Sequence, residues 1–255
     1  MFDGQTTFRY DGRPIADILA EQAPEPPRFS RQNDFTVYVM GPYTAFSAAY
    51  AYDDGDRLST PFQADPLFDA ERHVTDSGRG DMEQALRDFC AELRDRHSCR
   101  AFVASDIDIP TYRQARELNE RRGDDEPEVQ GMAPLDQSIA FAAHSDAVLF
   151  LFTQGGLTTG VGTETGGILG EFHLRRGNPA TTHKPGQRVA IYQDAEFGSA
   201  TVDELPYGFD VRYDEFRRKA DLHDRVRNWF DALTREARDT DLPVFVPGET
   251  YAPEE

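Results

Sequence analysis

Residues 155–167 read GGLTTGVGTETGG, six glycines and four threonines around a single acid, Glu164. Glycines at 155, 156, 160, 162, 166 and 167 would let backbone amides approach a ligand closely, and Thr163 is suited to cap a following helix. A helix N-terminus attracts an anion, and here the chain supplies its own in Glu164. A carboxylate in a first helical turn is expected to stay ionised, because the dipole and the free amides favour the charged form. Such a group suits attack on, or electrostatic support of, an oxocarbenium-like sugar carbon. The plainer alternative is a glutamate that only decorates a helix N-terminus. Glu171, about two turns further on, is the fallback carboxylate.

Rival chemistries lack their residues. No lysine follows the glycines, so the phosphate-binding GxxxxGK[ST] loop is absent, and Gly160, Gly162 and Gly166 do not have GxGxxG spacing. There is no GxSxG elbow, no HExxH among the six histidines, and no CxxC around Cys90 and Cys99. No metal and no cofactor are expected, and both cysteines read as buried thiols.

The glycine run must be held by the elements around it. Phe35-Thr-Val-Tyr-Val-Met40 is a short β-branched and aromatic run that stops at Gly41-Pro42-Tyr43, a first strand and its turn. Asp81 is an expected N-cap for a helix with an apolar stripe of Met82, Ala85, Leu86, Phe89, Cys90 and Leu93. Residues 100–105 form a second strand leading to Ser105-Asp106, and helices are expected near 111–122 and 134–145. The continuous apolar run 146–152 is a strand covered on both faces, followed by the glycine-rich turn and a helix to Leu174. A fourth strand at 188–192, a fifth near 209–213 and a charged helix at 215–238 complete the pattern. Strands alternating with helices predict an α/β fold: a doubly wound, flavodoxin-like parallel sheet of about five strands with helices on both faces.

Open sheets of this kind bind ligands beyond the carboxyl ends of strands, where strand order reverses. The turns at Gly41-Pro42-Tyr43, at Asp106 and at Gly160-Gly162-Thr163 are therefore expected to converge on one site around Glu164. One domain over 34–240 is expected, with 1–33 as a Pro-rich arm, 44–80 as a lid-like insertion and 241–255 as a tail.

Composition narrows the setting. Lys and Arg total 27 against 46 Asp and Glu, a net charge of −19, and the only lysines are Lys184 and Lys219. That balance suits a salt-loaded cytoplasm of halophile type. It provides no basic stripe for a phosphate backbone, so no nucleic-acid partner is expected. No apolar stretch is long enough for a bilayer, and the N-terminus lacks a secretory pattern, so a cytoplasmic protein without a membrane partner is expected.

The order VYVMGPY (37–43), DQSIAFAAHSDAVLFLF (136–152) and GVGTETGGILGEF (160–172) resembles the nucleoside 2-deoxyribosyltransferase-like superfamily and its TIR-like relatives over roughly 35–192. The resemblance implies that Glu164 is the nucleophilic or transition-state-stabilising carboxylate and that Asp136 contacts the base or leaving group. It also implies that Gly41, Pro42 and Tyr43 line the ribose pocket and that Asp146 is structural. In the transferases the Glu usually stands after two further residues beyond Gly-Thr, whereas Glu164 follows Gly162-Thr163 at once. The PGGxGTxxE pattern of the phosphoribohydrolases that release cytokinins is not reproduced. The implied ligands are a nucleoside, a nucleotide or NAD, and the implied assembly is a homo-oligomer. The expected activity is cleavage or transfer at an N-glycosidic bond; the alternative is a non-catalytic nucleotide sensor or a TIR-like NAD-processing signalling protein.

Overall fold

The computed structural model describes residues 8–27, 35–42, 52–53, 57–58, 64–74, 80–122, 126–155, 158–174, 188–209 and 211–239. Their elements are β1 (Arg9–Tyr10), β2 (Arg13–Pro14), α1 (Ile15–Gln22), β3 (Thr36–Met40), β4 (Tyr52–Asp53), β5 (Arg57–Leu58), α2 (Ala70–His73), α3 (Met82–His97) and β6 (Arg100–Phe102). After a 3-10 turn at Ala104–Asp106 come α4 (Tyr112–Arg121), α5 (Pro134–His144), β7 (Ala147–Phe152), α6 (Thr158–Leu174), β8 (Val189–Asp194), α7 (Ala200–Phe209), β9 (Arg212–Phe216) and α8 (Lys219–Asp239).

Five parallel strands pair in the order β6-β3-β7-β8-β9. Counted along the chain this is the 2-1-3-4-5 order of flavodoxin-like sheets, so strand order reverses at β3. Each strand splits its side chains by the two-residue period of a pleat. Val37, Val39, Leu149 and Tyr192 face a core closed by α3 and α8, where Leu86, Phe89 and Trp229 are buried. Tyr38, Met40, Phe102, Phe150 and Ile191 face the opposite core, closed by α1, α5, α6 and α7. The sheet is doubly wound, as its uninterrupted apolar strands require.

Local signals fix the frame. Asp81 Oδ1 accepts from Gln84 N at 2.9 Å to open α3, and Ser98 closes it in the left-handed conformation at φ 52°. Asp146 ties the starts of β3 and β7 together: its Oδ2 accepts from Thr36 N at 2.7 Å and Thr36 Oγ1 at 2.9 Å. Cys90 and Cys99 are free and buried, and burial pushes the Cys99 thiol up to about 12.

Three expectations change. Residues 1–33 were expected as an arm, yet α1 buries Ile15, Ile18 and Leu19 against Tyr38 and Met40. Arg100 clamps that helix, donating to Ala20 O at 2.7 Å and, through Nε, to Ala23 O at 3.1 Å. Residues 200–209 form a helix, which moves the fifth strand to β9 and delays the last helix to Lys219. The glycine-rich turn is largely helix, since α6 begins at Thr158. Much of the expected lid at 44–80, the whole tail at 241–255 and Tyr43 lie outside the described residues.

Candidate functional site

A cavity of about 810 Å³ opens at the C-terminal edge of the sheet, where strand order reverses. Its floor is Tyr38 and Gly41 from β3 and its turn, and one wall is Ser138 of α5 with Val161 and Glu164 of α6. The opposite wall is the chain from Ala104 through Thr111 and then α4, ending at Arg121.

That outer wall is a closed excursion. Thr111 bridges to Met132, and Met132 N donates to Pro110 O at 2.9 Å. A Cβ on Gly131 would stand 2.6 Å from Tyr112 Cα, so only glycine lets the two limbs touch this closely. Asn119 binds both backbone groups of Val129, donating to O at 3.0 Å and accepting from N at 2.8 Å. Gln137 Nε2 donates to Ile109 O at 2.9 Å and holds the excursion's base against α5. Ala115 is the one residue that α4 buries among those described.

Glu164 lines the cavity from the second turn of α6, six residues beyond the helix start at Thr158. The expected capping role of Thr163 is therefore replaced: Thr163 is exposed on the helix, and the first turn carries no acid. The dipole argument for an ionised carboxylate loses its basis with that shift. Burial instead pushes the Glu164 carboxyl above its ordinary value, opposed by a hydrogen bond from the Ser138 hydroxyl.

Ser138 is 3% exposed. Tyr38, fully buried, donates its hydroxyl to Ser138 Oγ at 3.4 Å. Its ring is fixed by stacking on Phe102, with centroids 5.3 Å apart, and by the edge of Phe141 at 5.7 Å. Burial and the neighbouring Glu164 charge both raise the phenol, so it stays a donor. The hydrogen bonds run one way, from Tyr38 to Ser138 to Glu164, and successive bonds in such a chain polarise one another.

The other expected residues divide. Gly41 lines the cavity, and a Cβ there would meet Leu86 Cδ2 at 2.8 Å. Pro42 is buried and outside the lining. Asp106 lines the cavity, but its Oδ2 accepts from Val103 N at 3.0 Å and its Oδ1 lies 3.4 Å from Arg87 Nε, so its carboxylate serves the turn. Gly160 and Gly162 are helix positions of α6, and Gly162 is outside the lining. Asp136 is exposed in the first turn of α5 and is not among the described lining residues, while the next two residues, Gln137 and Ser138, turn inward. Glu171 is further along α6 and also outside the lining.

Gly155 makes its close approach to the protein itself. Its N–H donates to Asp65 Oδ2 at 2.8 Å, and a Cβ would stand 2.7 Å from that oxygen. Gly167 is a packing glycine, with Leu135 Cδ1 2.8 Å from where its Cβ would lie. Tyr38, Gln137 and Ser138 were missed, although each carried a signal. All three are polar side chains at inward positions of otherwise apolar elements, where a buried polar group needs a partner.

Among the described residues no helix is long and apolar enough to cross a membrane, and no group of three or more His, Cys, Asp or Glu is arranged to hold a metal ion. No curated protein and no solved structure matches the chain. One family model matches it over residues 16–246, a span that takes in α1 together with the whole sheet. The chain belongs to the family described as Domain of unknown function (DUF7509).

Proposed function

We propose that this cavity cleaves or transfers at the N-glycosidic bond of a nucleoside-type compound, with Glu164 facing the sugar carbon. The observation that carries the reading is a carboxylate opening on a cavity at the switch point, backed by a buried hydroxyl chain. In its ionised form Glu164 would attack C1′ or stabilise positive charge there, and Ser138 would hold the carboxylate in one orientation. Because burial raises the Glu164 pKa, the reactive anion forms at higher pH than an exposed glutamate would allow. Asp136 has no part in this reading, and the departing base is handled from the α4 wall. A salt-rich cytoplasmic setting and a homo-oligomer belong to the same proposal and rest on the sequence.

The test is incubation with mixed nucleosides, nucleotides and NAD, followed by chromatography for free base. Base released by the wild type and not by Glu164→Gln supports the enzyme. One observation favours a second reading, a nucleotide sensor: Asp136, expected to contact the base or leaving group, is exposed and is not among the described lining residues. Thermal stabilisation by a nucleotide without any release of base supports that sensor.

A further inference from the structure

Resting on the N-glycosidic reading, we infer that the cavity takes glycosides that carry no phosphate and turns away nucleotides and dinucleotides. Charge along the lining is the basis. Four of the described lining residues are carboxylates: Glu164 beside Ser138, Asp106 and Asp108 on the chain after β6, and Glu117 on α4. Asp106 is offset by Arg87, and Glu117 by Arg113 at 2.9 Å, which leaves Asp108 and Glu164 without a cation partner among the described residues. Asp108 is exposed, and its backbone N–H donates to Gln22 Oε1 at 2.7 Å, which fixes its place on α1.

Among the described residues the lining holds one cation, Arg121, and no lysine. Arg121 is exposed in the last turn of α4, one turn beyond Glu117, whose carboxylate already feels its charge. A phosphate carries close to two negative charges and requires several donors or cations to replace its water. Among the described lining residues it would find one guanidinium, already near Glu117, against four carboxylates, two of them without a cation partner, and like charges brought together in this way are disfavoured. An uncharged sugar and base meet a different surface: the apolar side chains of Ile107, Ile109, Leu118 and Val161, with the polar ends of Thr111 and Gln114. About 810 Å³ is ample for such a molecule. In hydrolysis the C1′–N bond breaks with its electron pair going to the base nitrogen and water supplies the oxygen that bonds to C1′; one water proton ends on the base when adenine leaves, and goes to solvent when nicotinamide leaves as a neutral pyridine.

The experiment compares matched substrates on the full chain: adenosine, adenosine 5′-monophosphate, nicotinamide riboside, its 5′-phosphate and NAD, with free base measured against substrate concentration. Each riboside is expected to show kcat/KM about 100-fold above that of its phosphate. Asp108→Asn and the double variant with Glu117→Gln are expected to narrow that ratio by about tenfold, while the overall charge of the protein barely changes. Glu164→Gln is expected to abolish release from both. Equal use of riboside and phosphate, or preference for the phosphate, with release still dependent on Glu164, overturns this inference and leaves the N-glycosidic reading standing. An unchanged ratio in both charge variants also overturns it. A folded wild type, verified by circular dichroism, that releases base from no member of the set overturns both.

Discussion

Two buried tyrosines, one on each face of the sheet, answer the same physical requirement differently. Tyr192 of β8 points into the α3–α8 core and donates its hydroxyl to the Arg225 carbonyl at 3.1 Å. Tyr38 of β3 points into the α1–α5–α6–α7 core and donates to the Ser138 hydroxyl, which in turn serves Glu164 at the cavity. Both hydroxyls must be satisfied because a buried unpaired donor is costly. The bond to a backbone carbonyl locks α8 to the sheet, and the Arg212 side chain that also reaches the Tyr192 hydroxyl comes from β9, so none of these groups meets the cavity. A bond to a side chain that faces open space passes the constraint on to a group that can meet a ligand. The same residue type thus marks architecture on one face and a site on the other.

Variants can break this contrast. The largest effect is expected from Glu164→Gln, a loss of about 1000-fold in base release with the fold intact. Its sign on stability is also set. A carboxyl whose folded pKa is raised contributes stability at low pH that is lost as pH rises through the folded value. At neutral pH the glutamine variant should therefore melt at the same temperature as the wild type or higher, measured by thermal denaturation.

Ser138→Ala comes next. Removing the donor to ionised Glu164 takes away the interaction that lowers its pKa, so the rising limb of the pH–rate profile should move to higher pH. Activity at neutral pH should fall about tenfold and recover partly on raising the pH. A uniform loss at every pH would mean that Ser138 only packs.

Tyr38→Phe and Tyr192→Phe then separate the faces directly. Loss of the Tyr192 bond should lower unfolding free energy by about 1 kcal/mol and leave base release unchanged, read from urea midpoints and turnover. Tyr38→Phe should do the reverse, slowing turnover several-fold with a smaller change in stability.

The smallest effect is a pH dependence confined to the α3–α8 face. Burial holds His97 down to about 4, helped by His223, Arg96 and Arg227 and opposed by Asp231. A histidine with a depressed folded pKa contributes stability that is complete above its unfolded value of about 6.5 and lost as pH falls toward about 4. His97→Gln should flatten stability over that window while leaving the pH profile of turnover unmoved.

Much of the frame was legible. The β-branched and aromatic run ending at Met40 and the continuous apolar run 147–152 place β3 and β7 at the centre, and their ends locate the cavity. The stripe from Met82 to Leu93 was read residue for residue. The errors have physical causes. Glycine disfavours helix by about 1 kcal/mol relative to alanine, so 155–167 looked like a loop; packing of Ile168, Leu169 and Phe172 into the core carries α6 through its glycines instead. The prolines at 24, 26 and 27 drew attention away from Ile15, Ile18 and Leu19, a buried helical stripe just before them. Asp136 stood out because it is charged, yet on a helix beside a core the inward positions fell to its quieter neighbours Gln137 and Ser138. Tyr38 and Ser138 are 100 positions apart, and only the tertiary fold joins them.

The pinned ends of the 107–132 excursion have a consequence for how such a protein diversifies. With Thr111 and Met132 stitched together and Ala115 the one buried residue of α4, the described amino acids between those ends contribute little to holding the sheet. Exchanging α4 for another short helix of different character would refit the chamber to a new guest while the carboxylate on the far side kept its place.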